Sequence, residues 1–235
     1  MEPTLTWDIA LAKELRHGDA AFTLDVRFAS HAHRVVLFGP SGAGKTQTLK
    51  LIAGITRPDT GHVQVASRTL FDSERGVNLP AQRRQLGFVF QDYALFPHLT
   101  VRQNIAFARR HGWLNPGARR HDEVAERWIR NFHLEPVAGL YPAQLSGGQR
   151  QRTALARALA HEPAALLLDE PFAALDQRLR LRLRSELAEL LDQVRLPMLL
   201  ITHDEGDLRA LADDVVHLQD GRVTHVETAR EVAHA

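Results

Sequence analysis

The chain contains no cysteine. That excludes a disulfide framework and every thiolate metal site, and it fits a reducing compartment, so the cytoplasm is the expected location. Long apolar runs are also missing. The longest, such as AALLL and MLLI, fall far short of the roughly 20 residues needed to span a bilayer. The opening MEPTLTWDIALAKELRHGDAAF is acidic and polar, where a secretory signal needs a basic start and an unbroken apolar stretch. The expectation is a soluble chain that nothing targets outward, yet able to dock on a membrane protein. Charge of one sign is absent as well: 29 Lys plus Arg stand against 28 Asp plus Glu, a net of +1. No global basic field argues for nucleic acid as a partner. Neither an internal repeat nor a low-complexity linker occurs.

A chain of 235 residues, 44% of them hydrophobic, can bury a core as one domain, or as one domain carrying a subdomain. Arginines gather locally in RQRTALAR and QRLRLRLR. These are basic patches or, on the plainer reading of a charge run, solvated helix faces. The thirteen histidines are scattered, and only HAH at His31 to His33 has any ligand-like spacing. That pair reads as a surface loop.

Short apolar and β-branched runs recur at RVVLFG, LGFVFQ, ALLLDE, MLLIT and DVVHLQDGRV, most of them continuous enough for strands covered on both faces. Helical patterns alternate with them at KTQTLKLIAGI, VAERWIRNFHL, QRQRTALARALA and RSELAELLDQV. An α/β protein with a mainly parallel core sheet follows. Residues 97–144 hold no strong strand pattern and are broken by GWLNPG and LYPA, so they read as a helical insertion. With the helix that follows, this predicts an inserted helical subdomain at about 97–160 within a single domain over 1–235. Residues 1–35 and SRTLFDSERGVNLPAQRR are expected to supply an antiparallel β subdomain beside the core.

Five stretches carry chemistry. GPSGAGKT (Gly39, Pro40, Ser41, Gly42, Ala43, Gly44, Lys45, Thr46) follows the strand RVVLF and opens a helix, which is the context a phosphate-binding loop requires. Its glycines let successive amides turn toward phosphate oxygens, and the helix dipole adds to the attraction. Lys45 would reach the β- and γ-phosphates of ATP, and Thr46 would ligate Mg2+. ALLLDE ends an apolar strand in two carboxylates: Asp169 is placed to hold magnesium and Glu170 to polarise an attacking water. Taken alone, an Asp-Glu pair after a strand serves equally as a helix cap.

His203, after the strand MLLI, stands where doubly wound sheets gather ligand groups. A lone histidine there is as readily structural; in combination it is a candidate γ-phosphate contact. Gln91, in FVFQD, could touch magnesium or the attacking water and is uninformative by itself. LSGGQ, with Ser146, Gly147, Gly148 and Gln149, precedes a helical pattern. A serine cap suits a helix start, but two glycines lower local order without improving packing, and exposed amides at a helix N-terminus form an anion site.

In this order the pieces resemble the ATP-binding cassette family, the ABC ATPases, over nearly the whole chain: phosphate loop, Q-loop Gln91, signature LSGGQ, Walker B ALLLDE, a D-loop AALD ending at Asp176, and switch His203. The resemblance implies a phosphate-loop NTPase fold binding ATP and Mg2+, with Thr46, Gln91 and Asp169 around the metal and Glu170 as base. It implies a homodimer closed head to tail on ATP, in which Ser146, Gly147, Gly148 and Gln149 of one copy meet nucleotide held by the other. FVFQDYALFPHLTVRQNIAF resembles importer ATPases whose Q-loop region receives a helix of an integral membrane permease subunit, fed by an extracytoplasmic solute-binding protein. Such a chain sits peripherally on the inner face of the cell membrane. SRTLFDSERGVNLPAQRRQLG is most similar to the molybdate importer's ATPase. An exporter ATPase, or a soluble ABC protein acting on nucleic acid or ribosomes, is the alternative. The sequence departs from that branch twice. Arg16 and His17 stand where many members place an adenine-stacking aromatic, and the sequence ends at Ala235 where molybdate and sugar members usually continue into a regulatory β-domain.

Overall fold

Side-chain alternation builds the first hairpin. In β1 (Trp7–His17) Trp7, Ile9 and Leu11 are buried, and in β2 (Ala20–Ser30) Leu24, Val26 and Phe28 are buried while Arg27 and Ala29 face solvent, the period of two of a half-covered sheet. The computed structural model describes residues 5–17, 20–108, 122–173 and 175–228, without the side chains of His17 and Ala20. After β2 come β3 (Arg34–Phe38), α1 (Lys45–Ala53), β4 (Thr60–Val65), β5 (Arg68–Asp72), β6 (Val77–Asn78), α2 (Ala81–Arg84) and β7 (Leu86–Val89). Then follow α3 (Val101–Phe107), α4 (Glu123–Asn131), α5 (Gly147–Ala160), β8 (Ala165–Asp169), α6 (Gln177–Val194), β9 (Met198–Thr202), α7 (Glu205–Leu211), β10 (Asp214–Gln219) and β11 (Arg222–Thr228).

The described strands form one sheet of eleven, ordered β6-β5-β4-β1-β2-β11-β10-β3-β9-β8-β7. The half from β10 to β7 is parallel throughout. β6, β5, β4, β1 and β2 pair antiparallel. The expected antiparallel region is therefore not a separate sheet: β11, antiparallel to β10, meets β2 in parallel at Arg222 and Asp25 and joins the halves. β8 and β9 are buried at every position, as the four apolar residues ahead of Asp169 and of Thr202 lead one to expect.

DVVHLQDGRV is two strands rather than one. Asp220 and Gly221 take φ of 47° and 78°, the left-handed pair of a two-residue hairpin turn. A Cβ on Gly221 would fall 2.2 Å from the Thr23 carbonyl oxygen, so only glycine fits there.

Apolar side chains gather in three clusters. One lies between α1 and the antiparallel half, with Leu49, Ile52, Trp7 and Phe71. A second fills the other face, with Leu155, Leu187, Leu200 and Phe172. The third joins α3 and α4 to α5 through Ile105, Trp128, Ile129 and Leu159. Arg84 ties α1 to the antiparallel side: its buried guanidinium donates to the Leu51 and Ile52 carbonyls at 2.9 and 2.7 Å. Burial lowers its pKa to about 10, which leaves it charged against the negative end of the helix dipole. No helix among the described residues is long and apolar enough to cross a membrane.

Candidate active site

The turn between β3 and α1 is shaped by backbone freedom. Gly42 and Gly44 take φ of 84° and 98°, and Gly44 is the N-cap of α1, with no side-chain cap on the first amides. Those amides are the orphan donors of a helix start. Gly39 has a separate reason: a Cβ there would lie 2.1 Å from the Leu218 carbonyl oxygen. Lys45 is buried and its ammonium donates to the Gly39 and Pro40 carbonyls, both at 2.8 Å. Burial lowers its pKa, against the pull of Glu170 and Asp169. Two of its three N–H donors are thus used and the third is free to serve an oxyanion.

Thr46 reaches across the sheet edge, its hydroxyl 2.9 Å from Asp169 Oδ1. Asp169 ends β8 at 3% exposure. Burial pushes its carboxyl up from the usual range, and Glu170 adds to this, while the Thr46 bond and the charges of Lys50 and Lys45 oppose it. A hydroxyl and a buried carboxylate this close are hard oxygen donors of the kind magnesium takes. They fit that ion.

Glu170, one residue on, has φ of 44°. Such a conformation costs a non-glycine residue about 1–2 kcal/mol, and the Glu170 amide bond to the Ile201 carbonyl, at 3.0 Å, holds it. Its Oε1 lies 3.3 Å from Nδ1 of His203, just beyond β9. Gln91 is exposed in the turn after β7, not at the strand's last residue as expected. β7 pairs with β8 so that Val89 faces Leu168, and Gln91 thereby leaves the sheet at the same edge as Glu170.

Ser146 caps α5, accepting from the Gln149 amide at 3.3 Å, while the Ser146 amide donates to the Gln149 side chain at 2.9 Å. The pair of glycines has a packing reason that the sequence did not show. Cβ atoms on Gly147 and Gly148 would lie 3.2 Å from Leu175 and Leu179, so both admit the start of α6. Asp176 caps α6 by accepting from the Leu179 amide at 3.0 Å; Ala174 lies outside the described residues. Among the described residues no hydrogen bond or ion pair joins Ser146, Gly147, Gly148 or Gln149 to Gly39–Thr46. The chain brings together Lys45, Thr46, Asp169, Glu170 and His203 and leaves the signature apart.

The solvated-face reading of QRLRLRLR fails at two positions. Arg184, 8% exposed, pairs with the 2%-exposed Asp207 at 2.5 Å and with Asp204 at 3.1 Å. Arg180 pairs with Asp204 at 2.7 Å. Burial opposes ionisation of Asp204, yet the Arg180 and Gly206 hydrogen bonds and the Arg184 charge hold its pKa below the usual value. Thr202 donates to Asp207 at 2.5 Å. This lattice fixes the loop carrying His203, and its signal was the four-residue spacing of Arg180 and Arg184 opposite HDEGD. His31 and His33 are exposed, as a surface loop requires. Arg16 is exposed and pairs with Glu14; the His17 side chain lies outside the described residues.

A family model described as "ABC transporter" matches residues 25–173. The chain is 45% identical over 227 residues to the sulfate/thiosulfate import ATP-binding protein of Vibrio vulnificus, covering 94% of this chain and 63% of that protein. It is 39% identical over 222 residues to the molybdenum import ATP-binding protein of Brucella abortus, covering 94% and 60%. The chain thus spans less than two thirds of these relatives' length. Among solved structures it is similar to an ATP-binding cassette in a dimeric post-hydrolysis state bound to ADP and Pi, at 29% identity and a TM-score of 0.77, covering 97% and 99% of the two chains.

Proposed function

The chain belongs to the ABC transporter family, and on that premise we propose that it is the ATP-hydrolysing, nucleotide-binding subunit of an importer. The observation that carries the catalytic part is the convergence at one sheet edge of Lys45, the bonded pair Thr46 and Asp169, and Glu170 beside His203. Gly39, Pro40, Ser41, Gly42, Ala43 and Gly44 would wrap the phosphates with backbone amides, and Lys45 would neutralise them. Thr46 and Asp169, with Gln91 approaching from β7, would hold magnesium, which supplies charge neutralisation when bound. Glu170, its carboxylate held at the end of β8, would take a proton from the attacking water, and His203 would touch the γ-phosphate. Positioning and charge stabilisation do most of the work.

Two copies complete the site. In each, Ser146, Gly147, Gly148 and Gln149 stand at a capped helix start with no hydrogen bond to that chain's own phosphate loop among the described residues, so a head-to-tail homodimer would present them, and Asp176 with them, to ATP on the other copy. A helical subdomain at about 97–160 would carry this signature; in support, α3, α4 and α5 share the third apolar cluster. A groove of about 890 Å³ lies beside it, lined by Leu86, Phe88, Phe90, Phe96, Phe107 and Arg157. An amphipathic helix of a membrane permease suits this half-buried aromatic lining. The chain then sits on the cytoplasmic face of the membrane, and nucleic acid is not its partner.

Relatives named for sulfate/thiosulfate and for molybdenum import support a tetrahedral oxyanion as the solute, with an extracytoplasmic binding protein choosing it. Co-purification of the membrane subunits, followed by reconstitution with their binding protein, tests the reading. ATPase activity should rise with molybdate- or sulfate-loaded binding protein. Stimulation by maltose or a polyamine instead, through its own binding protein, overturns the oxyanion assignment, and export of the solute overturns the importer.

A further inference from the structure

The β10–β11 hairpin places three potential metal ligands on one face because its register slips. Leu218 pairs with Val223, but His217 pairs with His225, leaving Thr224 as the extra residue of a bulge. With unbroken pairing His217 would oppose Thr224, and His225 would turn to the other face. The bulge instead sets His225 opposite His217 with Glu227 two residues along on the same side. One ligand atom from each lies within 4.8 Å of the other two.

Polar groups lie close to both imidazoles. The Thr224 hydroxyl donates to the His217 carbonyl at 3.3 Å, and its oxygen lies 3.2 Å from His225 Nδ1. The tautomer of His225 decides which ring nitrogen holds the proton, and a metal takes the nitrogen left bare. Nε2 of His225 lies within hydrogen-bond reach of Glu227 Oε1, at 3.4 Å. Nε2 of His217 lies 3.4 Å from the other carboxylate oxygen, and that buried nitrogen has no hydrogen-bond partner. Donors about 2.1 Å from one tetrahedral ion sit about 3.4 Å apart.

We propose that His217, His225 and Glu227 form a binding site for a divalent transition metal of the zinc type. Two imidazoles and one carboxylate leave a fourth position for water, and this nitrogen-rich set favours zinc over magnesium. The rings are stacked 3.9 Å apart at 12°. An ion shared by both must lie in both ring planes, so binding turns the exposed His225 out of the stack. His217, edge-on to Phe38 at 5.6 Å, stays. A cavity of about 290 Å³ beside the site is bordered by Gly39, Pro40 and His203, which places the metal next to the phosphate loop.

The test is titration of the metal-stripped full chain with zinc chloride in millimolar magnesium and without nucleotide, read by competition with a chromophoric chelator. One zinc per chain should bind with micromolar or tighter affinity, and X-ray absorption should report two imidazole nitrogens and carboxylate oxygen at about 2.0–2.2 Å. His225→Ala and Glu227→Gln, both at exposed or half-exposed positions, should each weaken binding at least tenfold. His31→Ala with His33→Ala should change nothing. The proposal is overturned if the wild-type affinity is only millimolar, if His225→Ala binds as the wild type does, or if the His31 and His33 substitutions abolish binding.

Discussion

Thr46 and Asp169, 123 positions apart in the chain, are joined by a 2.9 Å hydrogen bond between the first turn of α1 and the last residue of β8. The bond couples the phosphate loop to the carboxylate that would face magnesium. Replacing Asp169 with Asn keeps the amide oxygen for Thr46 but removes the charge, so magnesium-dependent turnover should fall about 10²-fold or more, the scale of a lost electrostatic stabiliser. Stability should move the other way. Because burial raises the Asp169 pKa in the folded chain, the folded state binds its proton more readily than the unfolded state. Stability from this group therefore falls as pH rises from the ordinary carboxylate value through the folded pKa. The Asn variant escapes that loss and should melt higher than the wild type at pH 7 without nucleotide, the gap closing below the ordinary carboxylate pKa. Calorimetry across pH checks this; a lower melting temperature at pH 7 contradicts it.

Glu170→Gln preserves shape and removes the basic carboxylate. ATP binding should persist while turnover drops about 10²- to 10⁴-fold, the usual range for lost general-base help. Dimers closed on ATP should accumulate, visible by size-exclusion chromatography with ATP. Wild-type turnover, or a variant that stays monomeric with ATP, rejects the role.

Ser146 tests whether the signature acts on the other copy. Ser146→Arg removes a helix cap worth about 1 kcal/mol, so the chain should still fold. Alone it should be inactive, as should Lys45→Ala. Mixed, the two variants form some dimers with one intact site, and part of the ATPase activity should return. Full activity in Ser146→Arg by itself would falsify the trans arrangement.

The Arg184–Asp207 pair is buried at both ends, 8% and 2% exposed. Asp207→Ala takes the buried partner from the Arg184 charge and leaves it only the part-exposed Asp204, and breaking such a buried pair costs about 3–5 kcal/mol. At about 2–4 °C per kcal/mol for a chain of this size, the melting temperature should fall by about 10 °C. Nucleotide turnover should fall with it as the His203 loop loosens. Replacing both residues together, Arg184→Met with Asp207→Ala, should recover much of the stability; if the double variant melts no higher than Asp207→Ala, the stranded charge is not the cause.

Residue order along the chain was sufficient for the local parts of this protein. Gly39–Thr46 had to turn between a strand and a helix because glycine permits the left-handed backbone at Gly42 and Gly44, and ALLLD and MLLIT had to be covered strands because each is apolar up to its last residue. Capping by Ser146 and Asp176 is likewise local, a side chain meeting an amide three residues away. Other features came only with the tertiary structure. The two glycines of the signature serve packing because Leu175 and Leu179 of a distant segment press against them, and two arginines of QRLRLRLR are ion-paired, one of them buried, because the start of α7 brings Asp204 and Asp207 to them. One bulged residue, Thr224, decides that His217 and His225 share a face. Contacts of this kind depend on register and on the approach of remote segments, and a periodic pattern of residue types carries neither.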